Sequence, residues 1–188
     1  MNPVILQPGD IFLTRGKSLL SRAIRICSRT IGEKRTKVNH AGIIVTAGGL
    51  QNCIVIEASY KVLRHRLWEA YGPRKTDEVA IFRPKNLIAA DIGKIVSMAD
   101  QQVGKKYGYF KIAGHFLDWL FLGIYFFRRI FNNGKYPICS WLVAHAFSVA
   151  GKDFGVPAGA AQPDDIWDFV IKNTEKYEEI HPLSLIWP

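Results

Sequence analysis

The sequence predicts an α+β domain in which an antiparallel sheet packs against helices. Runs rich in β-branched residues lie mostly in the first half of the chain, and most segments with helical periodicity lie in the second half. A Gly-Gly pair at 48–49 separates two such β-rich runs, which is typical of a hairpin. With 188 residues, 48% of them hydrophobic and 22% charged, the chain has the size and composition of one globular domain.

Local signals predict the individual elements. Pro8-Gly9-Asp10 is a turn that leads into a short strand, and glycines at 104 and 151 are typical of helix ends. Pro163-Asp164-Asp165 suits a helix start, because proline fits the first turn and carboxylates favour its positive end. The predicted strands are Ile11–Thr14, Asn39–Ala47, Leu50–Ser59 and Val79–Arg83, and the predicted helices are Ser18–Ile31, Ala89–Val103, Cys139–Val149 and Ile166–Ile171.

The charge of the chain is strongly basic. The formal net charge is +9, and residues 15–37 hold eight basic side chains against the single acid Glu33. Such a surplus favours anionic partners, namely nucleic acid, an anionic membrane surface or an acidic polymer. No RNA-binding signature or zinc-finger spacing accompanies it, so nucleic acid is not expected and an anionic membrane surface is retained as a partner.

The cysteines and the N-terminus indicate the compartment. Cys27, Cys53 and Cys139 cannot all pair within one chain, and none has the spacing of a metal site. The first ten residues, MNPVILQPGD, lack the basic and apolar regions of a signal peptide. We therefore expect a reducing, cytoplasmic location, with peripheral membrane contact as a further expectation.

The aromatic segment Phe116–Phe127, FLDWLFLGIYFF, is followed directly by two arginines. It is too short to span a bilayer, which needs about 20 apolar residues. The sequence leaves three interpretations open: a core helix or covered loop, an interfacial patch that enters lipid, and a self-association surface.

Cys139 lies where a predicted helix begins. The helix dipole and the unpaired first-turn amides stabilise a thiolate there, which favours a nucleophilic role. Its own amide is also free of helical partners and is able to donate to a developing oxyanion. The alternative is that Cys139 is a small buried residue, and this alternative is stronger for Cys27 and Cys53, which lie within apolar faces.

His40 and Glu57 are a candidate base and orienting acceptor. If Gly48-Gly49 form a two-residue turn, His40 lies directly opposite Glu57 on the same side of the sheet, about 5 Å apart at Cβ. Glu57 interrupts an apolar run, where an unpaired carboxylate is costly to bury. A catalytic pair and a buried structural pair both fit this pattern. His65 and His115 have no acidic partner at a comparable spacing.

Together these motifs resemble the NlpC-type papain-like superfamily in its circularly permuted order, in which the cysteine helix comes last. The branch with YiiX-like proteins and lecithin:retinol acyltransferase-like enzymes has motifs similar, in order, to PGDIFLT, NHAGIIV, VIEAS, VGKKYGY and YPICSWLVAHAF. The resemblance covers about residues 8 to 170.

The resemblance implies a role for each candidate residue. Cys139 is the nucleophile, His40 the base and Glu57 the polar residue that orients His40. Tyr107 matches the tyrosine of the family's G-x-x-Y element, which helps around the oxyanion. The aspartate that often follows this tyrosine is Gly108 here, and an aromatic-rich insertion at about 108–135 also departs from the pattern, so substrate specificity stays open.

The prediction is one permuted papain-like domain over residues 1–188. It acts as a cysteine hydrolase on an amide or ester bond of a peptide or lipid-linked substrate, through a thioester and without metal or cofactor. Two alternatives remain: a lipid acyltransferase or phospholipase-like enzyme at a membrane surface, and a non-catalytic binding module on the same fold.

Overall fold

The chain folds into interleaved strands and helices, which a computed structural model describes for residues 4–17, 36–106 and 138–187. The elements within these ranges are β1 (Ile5–Leu6), β2 (Ile11–Arg15), β3 (His40–Ile44), β4 (Gly48–Gly49), β5 (Ile54–Ala58), β6 (Val62–Arg66), α1 (Leu67–Tyr71), β7 (Glu78–Pro84), α2 (Ala89–Asp100), α3 (Cys139–Ser148), α4 (Pro163–Lys172) and β8 (Tyr177–Ser184).

Six of these strands form one antiparallel sheet in the order β6-β5-β3-β2-β7-β8. The strands β1 and β4 pair separately, also antiparallel. With the helices packed on this sheet and the cysteine helix α3 late in the chain, the predicted α+β class is confirmed.

The two faces of the sheet bury two separate apolar clusters. On one face, α2, α3 and α4 cover alternate strand residues such as Leu13, Ala41 and Ile56. On the other face, α1 covers Phe12 and its neighbours. Since α3 contacts β3, β5 and both other helices of this face, nearly all of its residues are buried, which explains its almost continuous apolar sequence.

Five elements escaped the sequence analysis: the two short strands β1 and β4, and β6, α1 and β8. The strand β8 has the sequence YEEIHPLS, which lacks apolar alternation and contains a proline. It tolerates this composition because it is an edge strand, where one side needs no hydrogen bonds. The expectation that the strands lie mostly in the first half is therefore incomplete. The predicted helix Ser18–Ile31 falls outside the described residues.

The hairpin turn predicted at Gly48-Gly49 is wrong. These glycines instead form β4 and pair with Ile5 and Leu6, and the chain turns over the next three residues, 50–52. As a result Gly42, not His40, lies opposite Glu57. The register differs from the predicted one by two residues, and because side chains alternate with a period of two, each residue keeps its predicted face.

Gly42 leaves room for two neighbours at the centre of the sheet. A Cβ atom there would lie 2.4 Å from the ring of Phe12 and 3.0 Å from the Cβ of Glu57. Gly42→Ala is expected to lower the free energy of unfolding by about 1–3 kcal/mol, which thermal denaturation detects as a fall of about 2–4 °C per kcal/mol.

Gly93→Ala is the matched control for this substitution. Gly93 is exposed in α2, and an added Cβ would meet no atom within 4 Å. Because alanine favours a helix more than glycine does, this variant is expected to gain up to about 1 kcal/mol. A midpoint for Gly42→Ala at or above that of the unmodified chain would contradict the crowding argument.

Candidate active site

Three elements bring the predicted site residues together. His40 is the first residue of β3, Glu57 lies on β5, and Cys139 is the first residue of α3. Because α3 contacts both β3 and β5, its N-terminus lies against the end of the sheet where His40 stands. A separation of 99 residues between His40 and Cys139 along the chain therefore becomes a direct contact.

The three side chains form a continuous hydrogen-bonded chain. Nε2 of His40 lies 2.7 Å from Oε2 of Glu57, and the imidazole also hydrogen-bonds the thiol of Cys139. An ionised carboxylate only accepts hydrogen bonds, so Nε2 carries the proton it donates. Nδ1 is then the nitrogen left for the thiol of Cys139. His40 on β3 contacts Glu57 on β5 diagonally, whereas the sequence predicted that the two residues lie directly opposite each other.

Electrostatics favour a charged pair of Cys139 and His40. Burial by itself raises the pKa of the Cys139 thiol, but the His40 charge, the His40 hydrogen bond and backbone N–H groups of Ala41 and Ser140 bring the pKa below its ordinary value. Burial lowers the pKa of His40, and the charges of Cys139 and Glu57 outweigh this and hold it well above its ordinary value. The arrangement therefore supports a thiolate beside an imidazolium.

Glu57 is the buried anion of the site, with only 4% of its surface exposed. Burial raises its pKa, but the His40 charge and the hydrogen bonds from His40, His65 and Tyr71 hold that pKa well below the usual range. A carboxylate that stays ionised at any physiological pH keeps the imidazole of His40 oriented and stabilises its charged form.

Two residues that contact Glu57 were not identified from the sequence. Nε2 of His65 lies 3.0 Å from Oε1 of Glu57, and the hydroxyl of Tyr71 donates to Oε2 at 2.6 Å. The expectation that His65 has no acidic partner is wrong, because β6, which carries it, was not predicted. The sequence signal for β6 is weak: VLRHR follows VIEAS after a short turn at 59–61, but its two apolar residues and three polar residues do not alternate.

The remaining predicted features fall mostly outside the described residues. Tyr107 and the segment Phe116–Phe127 lie outside the described residues, as does most of the basic stretch 15–37. Within the described ranges, no helix combines the length and apolar character needed to cross a bilayer. The oxyanion role of Tyr107 and contact with a membrane surface stay predictions.

An antiparallel sheet whose strand begins with a histidine, and a late helix that begins with a cysteine, define a circularly permuted papain-like cysteine hydrolase. The chain belongs to the permuted papain-like amidases of the YaeF/YiiX type, the C92 family, whose model matches residues 5–113. The chain is therefore an enzyme of the papain-like amidase and peptidase class.

A solved structure supports the fold over almost the whole chain. The metalloprotein YiiX from Escherichia coli O157:H7 matches with a TM-score of 0.54 at 20% sequence identity, over 97% of this chain and 98% of that one. No curated protein matches the sequence significantly.

Proposed function

We propose that this enzyme cleaves amide bonds through a Cys139–His40–Glu57 triad and a thioester intermediate. The observation that carries the proposal is the hydrogen-bonded path from the Cys139 thiol through His40 to the buried Glu57 carboxylate. The family match includes His40 and Glu57 but ends at residue 113, so the choice of nucleophile depends on this geometry. Of the cysteines that the structure describes, Cys139 has such a partner and Cys53 does not.

The first half of the reaction forms the thioester. The Cys139 thiolate attacks the carbonyl carbon, and the carbonyl π electrons move to oxygen to give a tetrahedral oxyanion. When the intermediate collapses, the bond to the leaving nitrogen breaks and the His40 imidazolium gives that nitrogen its proton. Glu57 remains ionised and keeps His40 aligned with the departing group.

The second half returns the enzyme to its starting state. Neutral His40 takes a proton from water, and the resulting hydroxide equivalent attacks the thioester carbon. Collapse of this second oxyanion expels the Cys139 thiolate and releases the carboxylic acid. The thiolate is again beside a protonated His40, whose charge Glu57 offsets.

Oxyanion stabilisation is assigned to the start of α3. The Cys139 amide belongs to the first turn of this helix, where backbone N–H groups have no helical acceptor and the helix dipole is positive. A hydrogen bond from such a group strengthens as charge develops on the carbonyl oxygen. Tyr107 is proposed as the second donor, on the resemblance of VGKKYGY to the family's motif.

The substrate class follows from the family. Its members are described as amidases, which favours a peptide or another amide over an ester. A lipid-linked substrate rests on the basic stretch 15–37 and on Phe116–Phe127, and remains a prediction from the sequence.

The similar structure of YiiX is described as a metalloprotein. Among residues 4–17, 36–106 and 138–187 of this chain, no three His, Cys, Asp or Glu side chains are placed to hold a metal ion together.

Trapping the acyl-enzyme tests the proposed function without knowledge of the natural substrate. The full chain is treated with p-nitrophenyl acetate, quenched in acid and mapped by mass spectrometry. We expect an acetyl thioester on Cys139 and none on Cys53. Cys53 is the internal control, because burial raises the pKa of its thiol to about 11 and leaves it protonated at neutral pH.

Equal acetylation of the two cysteines, or acetylation that omits Cys139, would contradict the proposed function. The same experiment on Cys139→Ala identifies acetylation that depends on other nucleophiles of the chain. The acetylation found in Cys139→Ala is subtracted from that of the unmodified chain before Cys139 and Cys53 are compared.

A further inference from the structure

The carboxylate of Glu57 receives more donors than the proposed mechanism uses. His40 and Tyr71 both bind its Oε2 atom, at 2.7 Å and 2.6 Å. The other oxygen, Oε1, lies 3.0 Å from Nε2 of His65. Among the described residues, His65 is the side chain that donates to Oε1. His65 therefore holds the oxygen that His40 and Tyr71 do not contact.

The sheet places the two histidines symmetrically about Glu57. The strand β5 lies between β3 and β6, and each of these neighbours contributes one histidine. Gly42 on β3 and Leu63 on β6 lie directly opposite Glu57, and His40 and His65 each lie two residues away on the same faces of their strands. Glu57 therefore bridges two imidazoles across three adjacent strands.

We propose that His65 is a positioning residue for the reaction, which holds Oε1 of Glu57 so that Oε2 stays on Nε2 of His40. This proposal rests on the proposed function, since it assumes that the His40–Glu57 contact serves the Cys139 nucleophile.

The geometry gives the physical reason. His40 and Tyr71 converge on one oxygen, and contacts to one oxygen leave the carboxylate free to turn about it. A donor to Oε1 removes that freedom. The His65 side chain is 17% exposed and the Glu57 side chain, which it contacts, is 6% exposed. Loss of His65 lets water compete for the carboxylate, which weakens the attraction between Glu57 and His40.

The charges around His65 agree with a persistent contact. Its hydrogen bond to Glu57 raises the pKa of His65, with burial opposing and the charges of Glu57 and Glu69 adding to the rise. Nδ1 of His65 lies 3.0 Å from the backbone oxygen of Arg66, so the protonated ring donates from both nitrogens, to Arg66 and to Oε1 of Glu57.

The test compares His65→Leu, His65→Asn and His65→Gln in the full chain. Leucine has no donor, and the asparagine amide is too short to occupy the Nε2 position. The glutamine amide reaches about as far as Nε2 and restores a donor. His181→Leu is the matched control, because His181 is a partly buried histidine on β8, which three strands separate from β5.

Two titrations are measured on each variant. The first is the pH midpoint of Cys139 alkylation by iodoacetamide, followed on the Cys139 peptide by mass spectrometry. The second is the pKa of the His40 ring from its carbon-bound protons by NMR. For His65→Leu and His65→Asn we expect the Cys139 midpoint to rise and the His40 pKa to fall, with both restored in His65→Gln and unchanged in His181→Leu. Ester turnover is expected to fall about 10- to 100-fold in the two variants without a donor.

Two results would overturn the positioning role. Unchanged titrations with a lower thermal midpoint would make His65 a purely structural residue. A rise in the His40 pKa would show that Glu57 stays in place and that His65 only offsets part of its negative charge. The unmodified chain separates this inference from the proposed function: a Cys139 midpoint at or above the ordinary value of about 8.5 would overturn the proposed function itself.

Discussion

Replacing Cys139 with alanine is expected to reduce turnover of a substrate about a million-fold, as loss of the nucleophile does in other enzymes with a nucleophile–base pair. Alanine removes the atom that forms the thioester, and no other described cysteine has a histidine partner. Release of p-nitrophenol from an activated ester, and cleavage of a peptide amide once one is found, measure the loss.

His40→Ala is expected to lose almost as much activity as Cys139→Ala, and the double variant no more than either. The thiolate and the imidazolium act as one unit, since Cys139 raises the pKa of His40 and His40 lowers the pKa of Cys139. Removal of one partner therefore removes most of the contribution of the other. Losses that multiply in the double variant would show that the two residues act independently and would contradict the triad.

The pH dependence of thiol reactivity is the sharper readout for His40→Ala. A thiolate of low pKa is less nucleophilic, so the absolute alkylation rate reflects two opposing effects. The midpoint of the alkylation profile does not have this ambiguity. It is expected below about 8.5 in the unmodified chain and at or above that value in His40→Ala, where burial raises the pKa of the thiol and only the backbone N–H groups of Ala41 and Ser140 oppose it. Cys53→Ala is the control and is expected to leave the Cys139 midpoint unchanged.

Glu57→Gln is expected to be the most destabilising substitution at the site. It removes the charge of a buried carboxylate and turns one acceptor oxygen into an amide NH2 group, which faces either His65 or the pair His40 and Tyr71, all of which donate to Glu57. Breaking a buried ion pair by removing one partner costs about 3–5 kcal/mol. Thermal and urea denaturation of the variant are expected to show a loss of this order.

The stability difference between the unmodified chain and Glu57→Gln is expected to depend on pH in both directions. The folded pKa of Glu57 is depressed, so its contribution is present above its unfolded value of about 4.3 and is lost as the pH falls through the folded pKa. The folded pKa of His40 is raised, so its contribution is present below its unfolded value of about 6.5 and is lost as the pH rises through the folded pKa. The difference is therefore largest between about pH 4.3 and 6.5.

Glu78→Gln is the matched control for this substitution. Glu78 forms an ion pair with Arg15, but the two side chains are 19% and 35% exposed. Solvent screens such a pair, and its removal is expected to cost only about 0–1 kcal/mol. Equal losses in the two variants would show that burial of Glu57 adds nothing to its contribution.

The sequence determined which residues are available and on which face of the sheet each one lies. The apolar run around Glu57, the histidine at the start of β3 and the cysteine at the start of α3 are local features, and the structure contains all three. The even spacing of side chains in a strand is also local. For this reason His40 and Glu57 share a face even though the predicted turn was wrong.

Register and partnership were decided by the tertiary structure. Gly48-Gly49 pair with Ile5-Leu6, more than 40 positions earlier in the chain, and this pairing moves the turn and shifts the register by two residues. A local hairpin rule has no access to such a competing strand. The contacts of His65 and Tyr71 with Glu57 likewise depend on β6 and α1 being packed beside β5, which their own short sequences do not specify. Alternation along one strand can be read from neighbouring residues, whereas the partner across the sheet is set by which distant segments together bury the most apolar surface.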